Sequence, residues 1–143
     1  MKQNKAYKFR IYPNEEQKIM FAKTFGCARF IYNNMLSDKI DYYQQTKQRL
    51  NNTPAQYKTE FEWLKKVDSL ALANTQKNLQ KAFTNFFTNP KSGFPKFKSK
   101  HRHRKSYTTN NQKGSITLEN GYLKLPKLVD LVKVKQHRQI PKD

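Results

Sequence analysis

The chain has 143 residues, with Lys+Arg 29 against Asp+Glu 10 and a formal net charge of +19. That length suits one domain, or two small ones sharing a core, and self-repulsion at that charge calls for a polyanionic partner: nucleic acid first, an anionic membrane surface second. One cysteine, Cys27, excludes a disulfide framework and a cysteine-based zinc site, and no apolar run has the form of a signal peptide or a membrane span.

The opening "KAYKFRIYP" alternates Tyr7, Phe9 and Ile11 with Lys8, Arg10 and Tyr12. Period two predicts a strand with one apolar and one basic face, stopped by Pro13, which cannot donate to a ladder. Asn14 then precedes Gln17 by three residues, the spacing of a reciprocal cap, and Glu15 and Glu16 suit the positive end of a helix dipole. Ile19, Met20, Phe21, Ala22 and Phe25 form an apolar face. Gly26 predicts an interruption, after which Cys27, Phe30, Ile31 and Met35 resume helical spacing. Two helices meeting at Gly26 have the look of a helix-turn-helix, as do many helical hairpins.

Thr53 and Pro54 mark another helix start, of a short helix that carries Phe61, Trp63 and Leu64. After Asp68, the residues Leu72, Gln76, Leu79, Phe83 and Phe86 recur in steps of four and three, an amphipathic stripe. The opposite face shows Asn74, Lys77, Asn78, Lys81 and Asn85, basic and amide-rich. Asn89, Pro90 and Gly93 end this helix.

Beyond Gly93 the signals return to period two. "FPKFKSK" alternates aromatic and basic residues, "KSYTTN" is prone to extended structure, and alternation turns Phe94 and Phe97 towards a core. "SITLENGYLKLP" is a hairpin turning through Asn120-Gly121. "DLVKVKQHRQI" supplies a last strand with Leu131, Val132 and Val134. Strand, helices, strands in that order predict an α+β fold. In it the first strand pairs with the last ones, and a helical bundle interrupts a small β-barrel or sheet. The divisions are 1–12 for the first strand, 13–90 for the helical lobe and 91–143 for the remaining strands.

Charge is distributed unevenly. Between Asp68 and Glu119 there is no acid, while Lys96, Lys98, Lys100, Arg102, Arg104 and Lys105 crowd together. Cations in that density displace condensed counterions from a sugar-phosphate chain, and Tyr107 beside them could stack a base or belong to the core. His101 and His103, with His137 far away, do not make a metal site, and no metal or other cofactor is expected. Asp38 and Asp41 share a helix face but sit beside lysines as surface pairs. No motif places a third acid for a two-metal nuclease, and none specifies a catalytic residue.

The stretches "YKFRIYPNEEQKIMFAKTFGCARFIYNNML", "WLKKVDSLALANTQKNLQKAFTNFF", "GFPKFKSK", "SYTT" and "LKLPK" together resemble the OrfB/TnpB proteins of bacterial insertion sequences, in order and over nearly the full chain. The resemblance implies a helix-turn-helix transposase region built as a wedge-type barrel split by a helical recognition lobe. It also implies relatedness to RNA-guided DNA endonucleases of the type V CRISPR kind. By the same resemblance, guide RNA from the transposon end and double-stranded DNA are the partners. Ser69, Asn74, Lys77, Thr109 and Asn110 then lie where such proteins read a motif beside the target, and Lys8, Arg10, Lys81 and the Lys96–Lys105 cations contact phosphates. The sequence stops at "RQIPKD", about where the family's RuvC-like nuclease domain begins. The expectation is therefore a cytoplasmic, nucleoid-associated binding protein without a catalytic site, with a nuclease domain as a further partner. A stand-alone DNA-binding regulator and an inactive transposase remnant are the alternatives.

Overall fold

A computed structural model describes residues 4–140. Its elements are strand β1 (Arg10–Tyr12), helix α1 (Glu15–Thr46), helix α2 (Pro54–Lys58), a 3-10 turn at Glu62–Lys66, helix α3 (Ser69–Thr88), a second 3-10 turn at Pro90–Ser92, and strands β2 (Thr117–Glu119), β3 (Tyr122–Lys124) and β4 (Val132–Lys135). The fold is α+β. Two compact units divide the described residues: one takes residues 4–20 and 111–140, the other residues 21–110.

In the first unit the four strands form one antiparallel sheet in the order β1-β4-β3-β2. The first strand thus pairs with the last, Ile11 opposite Val134. Tyr7, Phe9 and Ile11 are half-buried while Lys8, Arg10 and Tyr12 are exposed, which is the expected alternation, although ladder pairing begins only at Arg10. Asn120 (φ 53°) and Gly121 (φ 79°) both take left-handed backbone between β2 and β3, as the turn chemistry requires. The turn is then tied to β4: Val134 N–H donates to Gly121 O at 2.8 Å, and Gly121 N–H to Gln136 Oε1 at 3.1 Å. The barrel expected from the resemblance is here a four-stranded sheet whose edges, among the described residues, are β1 and β2.

The reciprocal cap forms as the spacing predicts. Asn14 N–H donates to Gln17 Oε1 and Gln17 N–H to Asn14 Oδ1, both at 2.8 Å. The same Gln17, buried, donates from Nε2 to the carbonyls of Asp130 and Leu131, so one side chain fixes both the helix start and the approach to β4.

Gly26 does not break the helix. One 32-residue helix runs through it, because apolar residues on both sides (Cys27, Ile31, Met35 and Leu36 are all buried) outweigh the cost of a central glycine, about 1 kcal/mol. Ile31, Met35, Leu36, Leu64, Val67, Ala71, Leu72 and Leu79 make the core of the second unit. Loop residue Asn52 joins its elements: it donates to Met35 O and to the Tyr57 hydroxyl, and its own carbonyl accepts from Gln76. Tyr57 in turn donates to Asp38 at 2.5 Å. Asp38 is therefore an exposed hydrogen-bond acceptor for Tyr57, and among the described residues it forms no salt bridge with a lysine. Burial first, and the bond to Asp38 second, push the Tyr57 phenol well above its ordinary value. Burial likewise raises the Cys27 thiol, which makes it an inert small hydrophobe.

The period-two stretch after Gly93 does not become a strand. Residues 93–110 are irregular and belong with the helical unit, where no sheet edge is offered to them. Phe94 and Phe97 are 44% and 56% exposed, so alternation misassigned them to the core. Phe83 and Phe86 are only half-buried, so truncating either will cost less than the roughly 3–5 kcal/mol of a fully buried ring.

A Cβ at Gly26 would meet nothing within 4 Å. Gly26→Ala is expected to stabilise the fold by about 0.5–1 kcal/mol, raising Tm by about 2–5 °C in a thermal melt. No gain in Tm would show that the helix needs the glycine.

Candidate nucleic-acid interface

Two surfaces carry the positive charge, one in each unit. In the helical unit, the segment from Lys96 to Asn110 is held to the helices by neutral amides. Asn33 of α1 grips the backbone of Lys98 from both sides: its Nδ2 donates to Lys98 O at 2.8 Å, and Lys98 N–H donates to its Oδ1 at 2.7 Å. One side chain thus supplies the two bonds that a neighbouring strand would have supplied. The Lys98 ammonium lies 4.5 Å from the centre of the Tyr32 ring. Farther along, Asn74 of α3 donates from Nδ2 to Thr108 O at 3.0 Å and to Asn110 Oδ1 at 2.7 Å, as well as to Leu70 O in its own helix.

Asp68 completes this anchorage. One carboxylate oxygen caps α3 by accepting from Leu70 N–H at 3.0 Å; the other accepts the Thr109 hydroxyl. Tyr107 packs against Phe21 and Phe25, with ring centres 6.2 and 5.8 Å away. Burial, and then the charge of Asp68, push its phenol up to about 12.

These contacts leave a small cleft of about 60 Å³ in which Arg29, Lys98 and Arg104 line the walls together with Asn78, Tyr107 and Thr108. No carboxylate lines it. Lys77, Lys81, Lys96, Lys100, Arg102, Arg104 and Lys105 are exposed, as is Ser69 at the start of α3. The turn at 99–103 is closed internally. Arg102 N–H donates to Ser99 Oγ at 2.9 Å, and His103 donates from Nδ1 to Ser99 O, which leaves His103 a structural role. Among the described residues no group of three or more His, Cys, Asp or Glu side chains could hold a metal ion.

The second surface is one face of the sheet. Pairing places Arg10 opposite Lys135, Tyr12 and Tyr122 opposite Lys133, and Thr117 opposite Lys124. All four charged residues of those pairs are cations, as is Lys8, and Glu119, paired with Tyr122, is the acid of that face. Tyr12 and Tyr122 are 46% and 48% exposed among them, and the Arg10 guanidinium lies 5.8 Å from the Tyr12 ring centre. Lys8 and Arg10 were readable from the opening alternation. Lys124, Lys133, Lys135, Tyr12 and Tyr122 emerge only with the register, although period two in "VKVK" and "YLK" carries their signal. Arg29 lies outside the set of binding residues read from the sequence, its apolar neighbours having marked its stretch as core.

Residues 1–48 match the model of the helix-turn-helix domain of OrfB-type insertion-sequence proteins. A protein of Streptomyces pristinaespiralis, provisionally named an RNA-guided DNA endonuclease, is 31% identical over 96% of this chain. The chain belongs to the OrfB/TnpB family of insertion-sequence proteins. The family's helix-turn-helix region comprises, in this member, β1 and all of α1. A second relative, InsQ of Escherichia coli K12, bears the same provisional name and is 28% identical over 90% of the chain. The virulence protein VsdF of Salmonella dublin is 35% identical over 68% of this chain, and the match covers 94% of VsdF. The chain spans about a third of the length of the two endonuclease-named relatives, 35% and 33%. Among the described residues of this OrfB protein, no helix is long and apolar enough to cross a membrane.

Two tests follow. Arg10 and Lys135 repel each other across the ladder, so Lys135→Gln is expected to leave stability unchanged or raise it by up to about 1 kcal/mol while weakening nucleic-acid binding. Denaturant melts and gel shifts on the same variant would reveal opposite signs; a loss of both would make Lys135 merely structural. The second concerns pH. A phenol held above its unfolded value keeps its proton longer in the folded state, so its contribution is full below about pH 10 and is lost towards about pH 12. Stability is expected to fall across that window, and less steeply in Tyr107→Phe.

Proposed function

We propose that this chain is the nucleic-acid-binding part of an RNA-guided DNA endonuclease of the OrfB/TnpB family, engaging guide RNA and the duplex beside the target. The observation that carries the reading is the cleft lined by Arg29, Lys98 and Arg104 and by no carboxylate. The Tyr32 ring, 4.5 Å from the Lys98 ammonium, relieves part of the repulsion there, and a phosphate would relieve the rest.

Phosphate contacts position a polymer and base contacts specify it, and the side chains divide in that way. The exposed Lys77, Lys81, Lys96, Lys100, Arg102, Arg104 and Lys105 suit phosphates, as do Arg10 on the sheet and Lys8 just before it. Asn74 and Thr109 are occupied in holding Thr108–Asn110 against α3, which makes them positioning residues. Asn110 and Ser69 are the polar groups of this region best suited to base edges: Ser69 is exposed, and the Asn110 amide nitrogen makes no bond among the described residues. Tyr107 serves as a wall of the cleft. The names of the relatives supply the reaction class, and the cationic surfaces supply the binding.

The test is a gel-shift series with structured RNA from a transposon end and with duplex DNA at rising salt. The Arg29→Ala, Lys98→Ala, Arg104→Ala triple variant is expected to bind more weakly and to lose about one unit of log–log salt slope per phosphate contact removed. Retention of affinity and slope by the folded triple variant would refute this cleft as a phosphate site. A folded chain that binds neither polymer at low salt would refute the whole reading.

A further inference from the structure

The charged cleft does not account for the aromatics at the C-terminal ends of α1 and α3. There an open groove of about 810 Å³ runs between Tyr43 and Gln44 of α1, Arg49 and Asn51 of the following loop, and Gln80, Phe83, Phe86 and Phe87 of α3, with Phe94 at its edge. The aromatics are built into one cluster. Phe94 meets Phe83 and Phe86 edge-on at 5.5 and 5.3 Å between centres, and Phe87 stacks on Phe83 at 6.2 Å. Yet Phe87 is 58% exposed, Tyr43 54% and Phe94 44%. So much aromatic surface, gathered at one place and left in water, marks a binding site.

The company these rings keep identifies the occupant. The groove is lined by two cations, Lys39 and Arg49, and by no acid. The Arg49 guanidinium lies 5.1 Å from the centre of Phe87, and the Lys47 ammonium 5.7 Å from that of Tyr43. An apolar protein segment would have no use for those charges. Rings flanked by cations are what unpaired nucleotides need: a flat face for the base and positive charge for the phosphate next to it. The amides Gln44, Asn51 and Gln80 add donors and acceptors suited to a 2′-hydroxyl, which favours RNA over DNA. No residue lining the groove belongs to the set of binding residues read from the sequence.

We infer that this groove is a stacking site for unpaired RNA nucleotides, with Phe87, Phe94 and Tyr43 as the base platform and Arg49 as the phosphate partner. The inference rests on the nucleic-acid reading above but requires more, since charged residues alone could hold a duplex.

The test uses the 143-residue chain with a short oligouridine carrying 5-iodouridine, which cross-links on irradiation to a ring stacked against it. Adducts are expected on the peptides containing Phe87, Phe94 or Tyr43, and an unlabelled RNA duplex should compete poorly. Phe87→Ala and Phe94→Ala should each weaken oligouridine binding about tenfold without changing the salt slope, and Phe87→Tyr should restore it. Helical far-UV signal in each variant separates lost stacking from lost folding, and the cross-link map on the unaltered chain stands independently of any variant. Oligouridine binding with adducts confined to other peptides, or unaffected by the alanine variants, overturns the inference while leaving the proposed function intact. Preference for oligodeoxythymidine overturns the assignment to RNA. Failure to bind any nucleic acid overturns both.

Discussion

Asp68 is the carboxylate on which the interface of the helical unit depends. In a region otherwise free of acids, its charge is turned inward, capping α3 with one oxygen and receiving Thr109 with the other. That single group caps the start of α3 and, together with Asn74, sets where the 108–110 segment lies against it. Facing outward, the same charge would have cancelled a neighbouring cation. Buried and satisfied, it organises the surface while forming no salt bridge with a cation among the described residues.

Amides extend the same solution. A cationic segment could be fastened by carboxylates, but each would neutralise a lysine or arginine that the surface presents. Asn33 and Asn74 instead hold the backbone of Lys98 and of Thr108 through neutral hydrogen bonds. The segment is ordered and its charge is untouched. Among the described residues the one salt bridge is Lys18–Glu15, at 3.3 Å on the exposed first turn of α1. The sheet follows a related rule. Arg10 faces Lys135, an arrangement that costs stability and is sustained by the buried Val132 and Val134 beneath. Both units thus tolerate internal repulsion of a kind that a bound polyanion would relieve.

Much of the architecture was legible where local physics decides it. The Asn14–Gln17 cap, the Thr53-Pro54 start, the Asn120-Gly121 hairpin and the Val132/Val134 strand depend on residues a few positions apart, and each formed as its pattern required. The reading failed where a remote partner decides. Gly26 looked like a break because its local cost is real, yet burial on both sides overrode it. Phe94 and Phe97 looked buried because alternation presumes a sheet, and no strand adjoins them.

By itself, the sequence determined the sign and placement of the charge, the α+β order and the family, since composition, periodicity and motif order are properties of the chain read in line. Only the tertiary structure decided which cations meet. Arg29 and Arg104 are 75 positions apart by their numbering and share a cleft because Asn33 and Asn74 draw the irregular segment onto two helices. The aromatic groove was hidden for the same reason. A phenylalanine stripe reads as core until the fold shows that nothing in the described chain covers its far end, because exposure belongs to the packed surface and not to the residue.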